Sequence, residues 1–489
     1  MEFAYQPYID PDFESLIERI YPPRVCVDND TYPDCTLVKV DSANKHGILL
    51  ELVQVLTDLD LVISKSYISS DGGWFMDVFH VTDQLGNKLT DESLILYIQQ
   101  AICASRRVPN QTGPTIKRQV RPSHVSSSSS SDHTALEITG IDRPGLLSEI
   151  SAVLAQLECH VTAAVAWTHS GRAAVIIYVE EGRGGGPIVD SGRLAHVQEQ
   201  LENVVEAHHG TGERRSVRLT DPKLGRTHTE RRLHQLLYAD LDYTRCQGCN
   251  DAGDSGSVHR RDCAKIHVTI EPCEEKGYSI VNLRSADRPK LLFDTVCALT
   301  DMEYVVFHAA VSSLGTLADQ EYFIRQKDGC TLEKESERHK LSQCLIAAIE
   351  RGGMVQGLRL DVCTMNRMGL LSDVTRAFRE NGLSISRAEV GRHGEMAIGS
   401  FYVTEASSGG SYVSPETVEQ VRKELGESIV VVDKLPCWNG EVKPTAASKP
   451  STRRHDGSAG GEKPRFSLGT LFWAHLGWLS SNFGSSIRS

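Results

Sequence analysis

No stretch of this 489-residue chain approaches the roughly 18 apolar residues that a membrane-spanning helix needs, so a transmembrane segment is not expected. Positive charge is also scarce. Against 64 Asp and Glu stand 52 Lys and Arg, and the formal charge of −12 argues against nucleic acid as a main partner, because phosphate contact needs a basic face. A disulfide framework is missing: 13 cysteines, an odd number, are scattered over every segment, which fits free thiols in a reducing compartment. The N-terminus, MEFAYQPYIDPDFESLIERI, is acidic and carries prolines, so it reads as neither signal nor transit peptide. Cytoplasm, or nucleus, is the location this implies. G-x-S-x-G, H-E-x-x-H and Walker sequences are absent, so no converging catalytic set stands out and no cofactor is implied.

What the chain does have is a repeat. Its ordinary hydrophobic (40%) and charged (24%) fractions exclude wholesale disorder, and its length suits about three to five domains. TGIDRPGLLSEI begins at Thr139, RSADRPKLLFDTV at Arg284 and CTMNRMGLLSDV at Cys363; a weaker copy, DSANKHGILLELV, begins at Asp41. Each carries Asp or Asn, two further residues, then Gly or Lys290, then an aliphatic pair. The marks fall at Gly47, Gly145, Lys290 and Gly369.

After each mark an amphipathic helix is predicted. Its stripes are Leu49, Leu52, Val53 and Leu56; Leu146, Ile150, Val153, Leu154 and Leu157; Leu292, Val296 and Leu299; and Leu371, Val374 and Phe378. Two strands, a second helix and a closing strand complete the unit, with SVRLT (216–220) and SIVVVD (428–433) closing the second and fourth copies. The predicted class is α+β: four ferredoxin-like βαββαβ modules, with antiparallel sheets and helices on one face. The other face of each sheet needs a partner or water, which pairing of sheets edge to edge or face to face would supply.

The strand-to-helix corner is where chemistry is expected. Asp142 can cap the helix, Pro144 suits a first helical position, and Gly145 lets the backbone approach another group closely. Open amides at a helix N-terminus attract anions such as an α-carboxylate, and a neighbouring Asp or Asn oxygen can accept from an α-ammonium group. The bland alternative is a turn glycine beside a generic cap.

Four βαββαβ units opening on D-R-P-G-L-L resemble ACT domains. The tandem arrangement, with TERRLHQLLYADLDY and RPKLLFDTVCALTDMEYVVFHAAV, resembles the plant ACT-domain-repeat family over roughly residues 1–436. The resemblance implies a stand-alone, non-catalytic regulator that binds free amino acids between paired modules, with glutamine-type nitrogen sensing as one proposal. It further implies an unidentified regulated protein as partner and self-association through the sheets.

Carried over by position, the ligand-facing candidates are Asp142, Pro144, Gly145 and Leu146; Asn366, Gly369 and Leu370; Asn44, His46, Gly47 and Ile48; and Asp287 with Pro289. Lys290 in place of Gly either crowds a guest or adds positive charge for its carboxylate. Asn in the first and fourth copies weakens the attraction for an ammonium group but keeps the hydrogen bond. A ligand-free scaffold acting through protein contacts is the rival reading.

The spacings set the expected boundaries: an N-terminal segment (1–33), module one (34–108), a Ser/Pro-rich linker (109–132), module two (133–220), a linker (221–275), module three (276–352), module four (355–436) and a flexible tail (437–489). Cys246, Cys249, His259, Cys263 and His267 match no common zinc-finger spacing and read as incidental. GRGGGP (182–187) lacks the Lys-Ser/Thr of a phosphate loop. Arg214, Arg215, Arg226, Arg231 and Arg232, with Glu213 and Glu230 interleaved, read as a solvated helix face. The apolar end, FSLGTLFWAHLGWLSS, is assigned to docking on the protein's own modules, with a partner or a membrane surface met through Trp473 and Trp478 as alternatives.

Overall fold

The structure, a computed structural model, describes residues 24–43, 47–71, 74–104, 133–182, 185–207, 214–220, 228–245, 266–353, 357–406, 413–426 and 429–432. Module one runs β1 (Arg24–Asp28), β2 (Thr36–Ala43), α1 (Ile48–Asp58), β3 (Val62–Asp71), β4 (Trp74–Thr82) and α2 (Glu92–Ala104). Module two runs β5 (Thr134–Ile141), α3 (Leu146–Gln156), β6 (Cys159–His169), β7 (Arg172–Glu181), α4 (Ser191–Glu206) and β8 (Ser216–Thr220). Then come a lone helix, α5 (Thr229–Ala239), and a 3₁₀ turn (Asp242–Arg245). Module three runs β9 (His267–Cys273), β10 (Tyr278–Ala286), α6 (Leu291–Asp301), β11 (Tyr304–Leu314), β12 (Leu317–Gln326) and α7 (Glu335–Gly352). Module four runs β13 (Leu358–Met365), α8 (Leu370–Glu380), β14 (Leu383–His393), β15 (Met396–Glu405), α9 (Pro415–Leu425) and β16 (Ile429–Val432).

The class is α+β, with antiparallel four-stranded ferredoxin-like units whose helices share one face. The helical stripes form the cores: Val53, Leu56, Ile150, Leu154, Leu299 and Phe378 are fully buried against the strands. Modules two and four close with a C-terminal strand, but modules one and three fill the same edge from in front, through β1 and β9. Residues 1–33 therefore include a strand of the first sheet, and 221–275 include both a helix and a strand. The reason is that the edge position beside β2 or β10 offers backbone bonds to any nearby extended segment. Five-residue RVCVD and Pro-containing HVTIEPC are weak strand signals, and an edge strand is where proline is tolerated.

Sheet partners are not sequence neighbours. One eight-stranded sheet has the order β1-β2-β4-β3-β11-β12-β10-β9 and joins modules one and three; the other, β16-β13-β15-β14-β6-β7-β5-β8, joins two and four. The joints are antiparallel, with Tyr67 opposite Ala310 and Val165 opposite Glu389. Each of these residues faces its own repeat counterpart, so each pair of modules has a pseudo-twofold axis through the joint. Exposed edges of β3, β11, β6 and β14 are thereby satisfied within one chain.

The helix-free face of module two is also covered. Leu233, Leu236 and Leu237 of α5 pack on Ala163, Val165, Trp167, Ala174, Ile176 and Tyr178. On its far side α5 meets α6 and α7 of module three. Burial of β7 on both faces explains its unbroken AAVIIYV, whereas β12 alternates buried positions with half-buried or exposed ones. The basic cluster on α5 is thus not a solvated face. Arg231 pairs with Asp301 at 2.6 Å and Arg232 forks onto Glu137 at 2.7 and 2.6 Å, because α5 is wedged between two modules. Arg226 and the Cys246, Cys249, His259 and Cys263 set lie outside the described residues, as does the apolar tail; His267 stands exposed on β9. No helix among the described residues is long and apolar enough to cross a membrane.

Candidate functional site

All four corner residues are left-handed: φ is 86° at Gly47, 84° at Gly145, 65° at Lys290 and 76° at Gly369, with ψ near zero. These are the angles of the third residue of a type II turn, which favours glycine there and proline before it. The turn bonds are Leu146 N–H to the Arg143 carbonyl (3.2 Å), Leu291 to Arg288 (3.4 Å) and Leu370 to Arg367 (3.2 Å). D-R-P-G is therefore first a turn. Pro144 is the turn's second residue, two positions ahead of the helix, and the Asp142 carboxylate accepts from Thr168, while the N-cap position is Gly145, which has no side chain to cap with.

The contrast within modules two and four is informative. Asp190 caps α4 through the Arg193 amide, and Ser414 caps α9 through the Thr417 amide. At the corners the first helical bonds are Glu149 N–H to Gly145 and Asp373 N–H to Gly369. Between turn bond and helical bond, the amides of Leu147, Ser148, Leu371 and Ser372 have no acceptor among the described residues. The polar residue ahead of each turn is held by its own amide. Asp142, Asp287 and Asn366 donate to the carbonyls of Gly171, Thr316 and Glu395 at 3.0, 2.9 and 2.8 Å.

Two clefts open between modules two and four. One gathers Asn366, Gly369 and Leu370 from the fourth corner with Ser151, Ala155, Cys159 and Thr162 of module two. The other gathers Asp142, Gly145, Leu146 and Thr168 of module two with Thr375, Arg379 and Leu383 of module four. The pseudo-twofold axis relates them. On it, Ser151 and Thr375, which hold the same repeat position, share a hydrogen bond of 2.9 Å.

Burial raises the Asp142 carboxyl to about 6 against the opposing bond from Thr168. At the fourth-corner cleft Asn366 Nδ2 lies 3.1 Å from His160 Nε2. Burial pushes the His160 pKa below its ordinary value, so the neutral ring offers a lone pair to that amide. The Cys159 thiol, raised by burial and 3.6 Å from the Leu157 carbonyl, is held protonated and is no nucleophile.

The structure brings Asp142, Gly145 and Leu146 together in one cleft and Asn366, Gly369 and Leu370 in the other; Pro144 stays exposed on its turn. The other corners differ. Asn44 and His46 lie outside the described residues; Gly47 has open space beside it and Ile48 is buried in the core. At the third corner burial raises the Asp287 carboxyl, which accepts from Ser313, while the Pro289 carbonyl accepts from Arg288 at 3.0 Å. Lys290 turns to Glu230 of α5 at 2.7 Å. The chain's own helix closes that corner.

The partner-side residues Ser151, Ala155, His160, Thr375 and Arg379 were not among the candidates from sequence. They belong to the module across the axis; comparison of equivalent helix positions in copies two and four singles out Ser151, Ala155, Thr375 and Arg379, whereas His160 lies on β6.

Residues 31–109 match the ACR family N-terminal ACT domain, and residues 359–410 match the ACT domain. The chain is 56% identical to the ACT domain-containing protein ACR1 of Arabidopsis thaliana, over 100% of both chains. It is 49% identical to ACR3 of the same plant, over 88% of this chain and 91% of that one. A bifunctional uridylyltransferase/uridylyl-removing enzyme of Azospirillum brasilense is 37% identical over 17% of this chain and 9% of its own length. Among solved structures, aspartate kinase from Synechocystis matches 60% of this chain and 54% of its own at 13% identity, with a TM-score of 0.27.

Proposed function

Because the chain belongs to the plant ACT-domain-repeat (ACR) family, a family of regulatory ACT-domain proteins, we propose that it binds a free amino acid between modules two and four and acts as a non-catalytic sensor. Cytoplasm or nucleus is the proposed location, and an unidentified regulated protein is the proposed listener. The observation that carries this reading is the cleft at the fourth corner, where helix amides without side-chain caps face a cavity walled by a second module.

An α-carboxylate suits the Leu371 and Ser372 amides and the positive end of α8. The Asn366 oxygen suits an α-ammonium group, with its Nδ2 already engaged by His160. Ser151 and Thr162 on the far wall are polar, as the side chain of a glutamine-like guest would need. A guest held by two modules would favour one arrangement of their shared sheet, which is the differential affinity a sensor requires. Trp167 lines the second cleft and also packs, at 5.2 Å edge to face, on His234 of α5, so a change at the axis reaches the far side of the sheet.

The closed third corner favours a plainer role for modules one and three, as scaffold. The match to the bacterial enzyme spans too little of it to transfer an activity.

Thermal denaturation with each of the twenty amino acids in turn tests the proposal. A ligand at 100 times its Kd stabilises by about 2.7 kcal/mol, a shift of several degrees. Asn366→Ala should weaken it. If no amino acid at millimolar concentration moves the transition, sensing fails and only the architecture stands.

A further inference from the structure

The two clefts are related by symmetry but are not alike. Ala155 stands as far beyond Gly145 as Arg379 does beyond Gly369, and each crosses the axis to wall the other module's corner. At the fourth corner the wall is a methyl group: a Cβ placed on Gly369 would lie 3.8 Å from the Ala155 Cβ, an ordinary contact. At the second corner the wall is an arginine stem. A Cβ placed on Gly145 would lie 2.8 Å from Arg379 Cδ, closer than real Cβ atoms approach, and 3.3 Å from Cγ, a tight contact. The stem thus rests on the left-handed residue itself, in the cleft that the Leu147 and Ser148 amides line.

We propose that Arg379 closes the second-corner cleft, so that the chain takes one α-amino acid, at the fourth corner beside Ala155, where two sites would follow from the repeat. The inference rests on the amino-acid reading above and adds a stoichiometry and a specificity-determining residue to it. Half-site occupancy is built into the sequence at one repeat position. Because Arg379 is itself exposed on α8, its replacement leaves the buried face of that helix intact. The gate and the fold are therefore separable.

Equilibrium dialysis of the full-length chain against an equimolar mixture of the twenty radiolabelled amino acids, taken to saturation, reads the number bound per chain. The wild type should bind one, Arg379→Ala two, and Ala155→Arg, which copies the stem onto the open corner, none. The Arg379→Ala, Ala155→Arg double variant should return to one. Wild-type binding of two, or an Arg379→Ala chain that stays at one, overturns the gate while leaving amino-acid binding in place. Loss of the bound amino acid in Arg379→Ala also overturns it, making the guanidinium a clamp for the ligand's carboxylate. Binding of none by all four proteins, with their folding intact by circular dichroism, removes the amino-acid reading and the gate with it.

Discussion

Replacing Asp242 by Ala is expected to release α5 from module three. On the 3₁₀ turn after that helix, the Asp242 carboxylate accepts from Arg351 Nε at 2.7 Å and Nη2 at 2.5 Å, and from His169 Nδ1 at 2.7 Å. The side chains of Asp242 and Arg351 are 0% and 3% exposed. Burial alone would push the carboxyl up, but Arg351 and His169 outweigh it and hold the group well below the usual carboxylate range. Removing one member of such a pair strands a buried charge and costs about 3–5 kcal/mol. At about 1.4 kcal/mol per decade, amide protection across 229–245 should fall by roughly two to four powers of ten. Hydrogen exchange followed by mass spectrometry reads that segment directly, without assuming that a four-module chain unfolds in one step. Arg284→Ala is the control. Its partner Asp319 lies on an open surface, so no measurable change is expected. If Asp242→Ala loses less than tenfold, the pair matters no more than a surface pair, and the apolar face of α5 alone holds the modules together.

Two further outcomes follow from the same interface. His169 lies between Asp242 and Glu350, whose Oε2 is 3.1 Å from Nε2; burial opposes its charge, but the two carboxylates raise its pKa overall. With the folded value raised, its stabilisation is full below the ordinary value of about 6.5 and is lost as pH climbs through the folded value. Protection of α5 should therefore decline on the alkaline side, and His169→Gln should flatten the decline; a variant that keeps the slope assigns it elsewhere. Lys290→Gly removes a left-handed strain of about 1–2 kcal/mol but takes from buried Glu230 its hydrogen-bonded cation, leaving only the more distant charges of His228 and Arg387, a loss of about 3–5 kcal/mol. Thermal denaturation should show the variant destabilised by about 2 kcal/mol, with Glu230→Gln restoring much of it; a stabilised Lys290→Gly chain would mean that backbone strain dominates.

The fold was largely legible because repeat and periodicity report local geometry. Gly47, Gly145, Lys290 and Gly369 mark equivalent turns, and Ile150, Leu154 and Phe378 point inward because a helix sets their spacing. The candidate site was half legible. The corner motif singles out Asp142 and Asn366, which line the two clefts, but Asp142 does not take the capping part expected of it. The turn turns Asp142 away from the helix amides and toward Thr168, so those amides stay open. His160, Ala155 and Arg379 carry no motif. The signal of Ala155 and Arg379 is a difference between copies at one helix position, and His160 stands on β6; both become visible only once it is known which copies face each other.

The sequence by itself determined the modules, their α+β make-up and the left-handed corners, since backbone angles, caps and amphipathic stripes depend on residues a few positions apart. Tertiary structure alone decided that module one pairs with three and two with four. It also decided that α5 fills the third corner through Glu230 and that the two clefts have unlike walls. Those outcomes depend on contacts between residues 60 to more than 200 positions apart. Edge strands pair through backbone groups common to every residue, so side-chain pattern does not name the partner. Only packing of whole modules, and the burial of charges such as Asp242 and Arg351 between them, selects it.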